Sequence, residues 1–144
     1  MTRSQRIKTI VKLKNHRERH AARSLAASQL TLATIRQRIQ QLLEYREEYL
    51  QFFQSDGIKL SIKSIRDQQA FILQLDQGIA MLRQQLRIQE KMNDRERQNW
   101  IQQKQQLDTM QNIHDRCFQA EQQLRELRTQ HTLDELATNR ASRT

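Results

Sequence analysis

QSDGIKLSIKS, residues 54–64, is the stretch on which the fold turns. Gly57 carries no Cβ and so enters the left-handed conformation that ends many helices. It is one of two glycines in a chain without proline. Ser64, with Asp67 three residues on, forms a variant of the capping box that starts a helix. The stretch predicts a helix end, a turn over about 55–63 and a second helix from about 64.

Working outward, steps of four and three lead from Ile7 through Val11, Lys14, Glu18, Ala21, Leu25, Ser28, Leu32, Ile35, Ile39, Leu42, Arg46 and Tyr49 to Phe53. Ten of these fourteen positions are apolar or aromatic. After the turn the same spacing runs Ile65, Gln68, Ile72, Leu75, Ile79, Leu82, Leu86, Gln89, Asn93, Glu96, Trp100, Gln103, Leu107, Met110. Two such heptad seams predict an all-α fold, a long two-helix antiparallel coiled coil whose second helix is longer than the first. The expected organisation is a single hairpin over residues 1–144: helix one about 5–54, helix two about 64–137, and a frayed C-terminus at 138–144.

Antiparallel pairing about the turn joins positions whose numbers sum to about 118. Leu75 then lies by Leu42, Ile79 by Ile39, Gln89 by Ser28, Gln103 by Lys14 and Trp100 by Glu18. At about 1.5 Å per residue the helices would span roughly 70 and 110 Å, so the second outruns the first beyond about residue 117. The overhang carries Phe118, Leu124, Leu127, Leu133 and Leu136. An isolated polar helix is marginal in water, so either another protein covers this end or it frays.

Composition supports a single seam over a rounded core. Only 36% of residues are hydrophobic and 24 are Gln, against about 45–50% apolar residues in ordinary domains. The net charge of +9 is uneven. The first 23 residues hold Arg3, Arg6, Lys8, Lys12, Lys14, Arg17, Arg19 and Arg23 against Glu18, giving +7; the remaining 17 basic and 15 acidic groups give +2. No apolar run reaches the roughly 18 residues of a membrane span, and the basic N-terminus lacks the apolar core of a secretory signal. A cytosolic protein is expected. The lone Cys117 fits a reducing compartment.

Catalytic chemistry finds little to work with. His16 and His20 share a helix face, but zinc requires three or four protein ligands and their neighbours are cationic. With His114 and His131 they read as solvated side chains. Cys117 has His114 three residues before it, without oxyanion donors or a water-excluding pocket. No phosphate-binding glycine loop occurs. The reading is of a non-enzyme with no cofactor and no metal.

The basic N-terminal segment suits an acidic protein surface, a nucleic-acid backbone, an anionic membrane, or solvent alone. It has no aromatic to stack on bases, so nucleic acid is not the expected partner. Five of the seven aromatics lie near the turn: Tyr45, Tyr49, Phe52, Phe53 and Phe71. They make either an exposed interaction patch or a thickened core at the hairpin tip.

LLEYREEY (42–49), SDGIK (55–59), DQQAFILQLDQGI (67–79), RQNWIQQKQQL (97–107) and LDELA (133–137) together resemble the flagellar export protein FliJ family. The resemblance spans about residues 21–137. It implies a non-catalytic stalk of the bacterial flagellar type III export apparatus. Such a stalk sits in the pore of the FliI ATPase hexamer, promotes its assembly and activation, and links it to the export gate protein FlhA. It also implies a general escort role for export chaperones, with FliH as a further partner, and a cytoplasmic position at the inner membrane through those partners. Gate-docking positions of the family fall on Leu42, Tyr45, Tyr49, Phe71 and Leu75; Arg38 and Gly78 depart from the usual Gln and Ala beside them. Contact with the ATPase ring is assigned to the eight basic residues from Arg3 to Arg23 and to Leu124 and Leu127. The alternatives are the stalk of a virulence type III system, which shares the architecture, and a parallel dimeric coiled coil with a basic tail for nucleic acid.

Overall fold

A computed structural model describes residues 1–55 and 61–143. Two α-helices account for nearly all of them, α1 (Arg3–Ser55) and α2 (Ile62–Ser142). The expected left-handed turn at Gly57 lies outside the described residues. The two helices pack against each other, and α2 is the longer. Cross-helix partners such as Ser28–Gln89 and Arg46–Asp76 run in opposite chain directions, which makes the pairing antiparallel.

Helix starts depart from expectation for a capping reason. Thr2 caps α1: its hydroxyl accepts from the Gln5 N–H at 3.3 Å, while the Gln5 side chain accepts from the Thr2 N–H at 3.0 Å. This is a full capping box, and it begins the helix two residues before the expected position. The start of α2 is capped by Ser61. The Ser61 hydroxyl accepts from the Ser64 N–H at 3.2 Å, and its carbonyl accepts from the Ile65 N–H at 3.0 Å. Ser64 is therefore three residues into the motif, and the Ser64–Asp67 box is corrected to Ser61–Ser64. Capping from Ser61 satisfies a free N–H and adds two residues to the helix, so the earlier serine wins. At the far end α2 continues to Ser142, past the expected limit near 137.

The heptad seams describe where side chains are covered. All fourteen α1 positions read from the sequence are buried or half-buried, and so are those of α2 except Ile65. The buried apolar set among the described residues is small: Ile7, Ala21, Leu32, Ile35, Ile39 and Ile79. A two-helix seam covers each side chain from one direction, which is why most seam residues stay half-buried.

The chain divides into two compact units to which both helices contribute, residues 1–21 with 100–144 and residues 22–99. In the first, polar groups do much of the pairing. Lys14 Nζ donates to Gln106 Oε1 at 3.0 Å, and the Trp100 indole N–H donates to Glu18 Oε1 at 3.0 Å. The Lys14 side chain thus bonds a turn beyond the expected seam neighbour Gln103, whose Oε1 is buried without a hydrogen-bond partner. Pairing extends to Glu121, whose carboxylate accepts from the Ser4 N–H at 3.1 Å and from the Ser4 hydroxyl. Coverage therefore reaches residue 122, past the expected limit near 117, and the described residues of α2 beyond it are exposed. The negative carboxylate at the start of α1 also meets the positive end of that helix's dipole.

The second unit is more apolar. Gly78 lies half-buried within α2, and a Cβ there would meet only Leu42 Cδ1, at 4.0 Å. That is ordinary van der Waals contact, while glycine inside a helix costs about 1 kcal/mol relative to alanine. Gly78→Ala is expected to raise the stability of the full chain by about 1 kcal/mol in urea unfolding followed by circular dichroism. A loss of stability would mean that the helices cannot admit a methyl group at this point.

Candidate functional site

The aromatic cluster of residues 22–99 is built from both helices. Tyr45, Tyr49, Phe52 and Phe53 stand on α1 at spacings of three and four, so they lie on adjoining faces of successive turns. Phe71 approaches from α2. Tyr49 is the hub, with its ring centroid 4.5 Å from Phe71 and 4.7 Å from Phe53. Tyr45 meets Phe71 edge-on at 6.0 Å, and Phe52 meets Phe53 edge-on at 5.4 Å. These are the offset and edge-to-face arrangements that the ring quadrupole favours.

The cluster is a core and a surface at once. Tyr49, Phe53 and Phe71 are half-buried and tie α1 to α2, whereas Tyr45 and Phe52 present exposed rings. Leu42 and Leu75 are half-buried. The structure thus joins Tyr45, Tyr49 and Phe71 in one ring assembly. Phe52, counted with the aromatics near the turn, was not among the expected docking positions; its spacing of seven from Tyr45, two turns along the same face, was the available signal. Arg46 was legible only as a polar interruption of the seam. Its Nε lies 2.7 Å from Asp76 Oδ1, so it pairs across the helices rather than breaking them apart.

The basic residues divide between the units. Arg3, Arg6, Lys8, Lys12, Arg17 and Arg19 are exposed in the first unit, and Arg23 is exposed in the second. None of these seven forms an ion pair among the described residues. Lys14 differs, being half-buried on the seam and engaged by Gln106. Leu124 and Leu127 are exposed, as is every described residue of α2 from 123 onward. The first unit therefore combines unpaired cations on α1 with an uncovered helical segment of α2.

Titratable groups of this unit have local explanations. The Cys117 thiol lies 3.8 Å from Glu121 Oε1, and His114 is bonded to Asp115 at 3.2 Å, not to the thiol. The hydrogen bond from His114, then that from Gln111, holds the Asp115 carboxyl below its ordinary value. Among the described residues no group of three or more His, Cys, Asp and Glu side chains is arranged to hold a metal ion.

Hydrogen bonds from the Ser4 hydroxyl and then the Ser4 N–H hold Glu121 below its ordinary 4.5, with Arg125 adding a smaller pull. A depressed carboxyl stabilises the fold above its unfolded value and loses that contribution as pH falls through the lower folded value. Acidifying the full chain from about pH 6 to pH 3 should lower its thermal midpoint, and Glu121→Gln should flatten that decline. Identical pH profiles would dissociate Glu121 from acid stability.

Residues 3–144, basic segment, aromatic cluster and overhang included, match the model of the family described as Flagellar FliJ protein. The chain belongs to the FliJ family. No curated protein and no solved structure matches it. FliJ proteins are components of the flagellar export apparatus and act in protein transport; the family is structural and is not known for enzymatic activity. Among the described residues of this FliJ chain no helix is long and apolar enough to cross a membrane.

Proposed function

We propose that this FliJ-family chain is the coiled-coil stalk that couples the flagellar export ATPase to the export gate. The basic residues Arg3, Arg6, Lys8, Lys12, Lys14, Arg17, Arg19 and Arg23, with Leu124 and Leu127, contact the FliI hexamer and promote its assembly and activation. Leu42, Tyr45, Tyr49, Phe71 and Leu75 dock FlhA. FliH and export chaperones are further partners, the latter through an escort role, and the stalk works in the cytoplasm at the inner membrane, held there by its partners. It carries no catalytic step and no cofactor of its own.

The observation that carries this reading is chemical segregation. One unit holds six exposed cations on α1 without ion pairs, together with exposed Leu124 and Leu127; the other holds a ring cluster with Tyr45 and Phe52 exposed. Unpaired cations suit a partner lined with carboxylates, since complementary charge steers association and fixes register. A partly exposed aromatic cluster suits a desolvated protein contact. Two chemically unlike surfaces are what a connector of two different partners needs.

The deciding experiment measures FliI ATPase activity with and without the full chain. Wild type should raise the activity. A variant with Arg3, Arg6, Lys8, Lys12, Arg17 and Arg19 changed to Glu should not, although circular dichroism reports the same helicity. Undiminished stimulation by that variant would remove the basic segment from the ring contact.

A further inference from the structure

The side of α2 turned away from α1 carries a second apolar pattern within residues 22–99. Ile72 and Ile79 occupy one seam column and Leu75 and Leu82 the other; Phe71 and Gly78 flank the seam half-buried, and the columns farther from it point outward. Such outward positions ordinarily carry the charged residues of a coiled coil. Here Leu73, Met81 and Ile88, with Met92 beside them, are 49–64% exposed. Ala70, Gln74, Gln77, Ala80, Gln84 and Gln85, also off the seam in this stretch, are exposed, and Asp76 and Arg83 are its charged positions. The stretch from Ala70 to Met92 covers about 33 Å of helix, or six turns.

Exposed apolar residues scattered singly need no explanation, but a periodic row does. At its start Leu73 also lines a shallow groove with Leu50, Ile65 and Ile72, a recess able to receive an anchoring side chain. The row is framed by cations: Arg66 at its start and Arg83, Arg87, Lys91 and Arg95 along and beyond it, all exposed. Of the four carboxylates between Arg66 and Arg95, two are engaged across the helices, Asp76 by Arg46 and Glu90 by Arg36, and the other two, Asp67 and Asp94, are exposed.

We infer that the outward face of α2 from Ala70 to Met92 docks an amphipathic helix of a partner protein, one whose apolar stripe is bordered by Asp and Glu. The docked helix adds a third strand to the coiled coil, with Leu73, Met81, Ile88 and Met92 as its seam and the surrounding cations as its electrostatic frame. A second copy of this chain is the poorer occupant, because its own face would bring the same cations toward this one. The assignment concerns a different face from the aromatic cluster and does not depend on the ring and gate contacts proposed above.

The test uses two synthetic helical peptides of about 24 residues with one shared leucine stripe, bordered by Glu in one and by Lys in the other. Each is titrated by fluorescence anisotropy against the full chain. The Glu-bordered peptide should bind and the Lys-bordered one should not. Combining Met81→Gln with Ile88→Gln, changes that leave the charge untouched, should weaken binding about tenfold or more while helicity and thermal midpoint stay the same. Equal binding of the two peptides, or binding indifferent to the Gln pair, would overturn the inference. So would concentration-dependent self-association in sedimentation that the Gln pair abolishes, which would assign the face to a second copy.

Discussion

Ile79→Asp is expected to cost about 4 kcal/mol or more and to unfold the pairing of the helices across residues 22–99. Ile79 is 4% exposed, the most covered large apolar side chain among the described residues, and Ile39, Ile35 and Leu32 are buried in the same unit. Ser28–Gln89 on one side and Arg46–Asp76 on the other set the register that brings Ile39 level with it. Truncating a buried isoleucine costs about 2–5 kcal/mol through lost transfer energy and the cavity left behind. A carboxylate placed there is desolvated as well, with no cation on the seam between Ile35 and Leu42 to pair with it. Ordinary domains are stable by about 5–15 kcal/mol, and a single seam has little in reserve. Urea unfolding should show the loss. Leu30→Asp, at a highly exposed position on α1, is the control and should stay within about 0.5 kcal/mol of wild type. If both substitutions behave alike, the seam is not where the stability resides.

The second large effect is on binding. Tyr45→Ala, Tyr49→Ala and Phe71→Ala together should weaken association with FlhA by about a hundredfold or more, since clustered aromatic anchors carry about 2 kcal/mol or more each without adding fully. The three rings form one assembly around Tyr49, so their removal takes away both the proposed contact surface and its internal support. The separate roles can be resolved. Tyr45, exposed, should affect binding with little change in unfolding, whereas Tyr49, which touches Phe53 and Phe71, should affect both. Association measured by surface plasmon resonance, with the thermal midpoint of each variant recorded alongside, makes the distinction. Full affinity in a folded triple variant would detach the cluster from the gate.

Much of this was legible in the residues because burial in a two-helix pair is periodic. Ile7 to Phe53 in steps of four and three marks covered positions of α1 without exception, and Gln89 opposite Ser28 followed from the same register. Polar residues on the seam were the obscure part. Trp100 meets Glu18 where the register put it, but Arg46 finds Asp76 and Lys14 reaches Gln106 past Gln103, each through a long side chain that spans a turn. A heptad repeat assigns Cα positions; where a flexible polar tip ends up depends on partners from the other helix.

The amino-acid order alone determined that the chain is helical, that it doubles back, which stripe of each helix is covered, and where the cations and aromatics concentrate. Those features follow from side-chain spacing and composition, which act locally. Only the tertiary structure decided that Glu121 caps the beginning of α1, that Tyr49 and not Tyr45 is the hub of the ring cluster, and that Leu73, Met81 and Ile88 remain uncovered. Each of these depends on which atoms of two distant segments come within hydrogen-bonding or van der Waals reach, and such short-range forces are set by three-dimensional proximity that no single-helix pattern encodes.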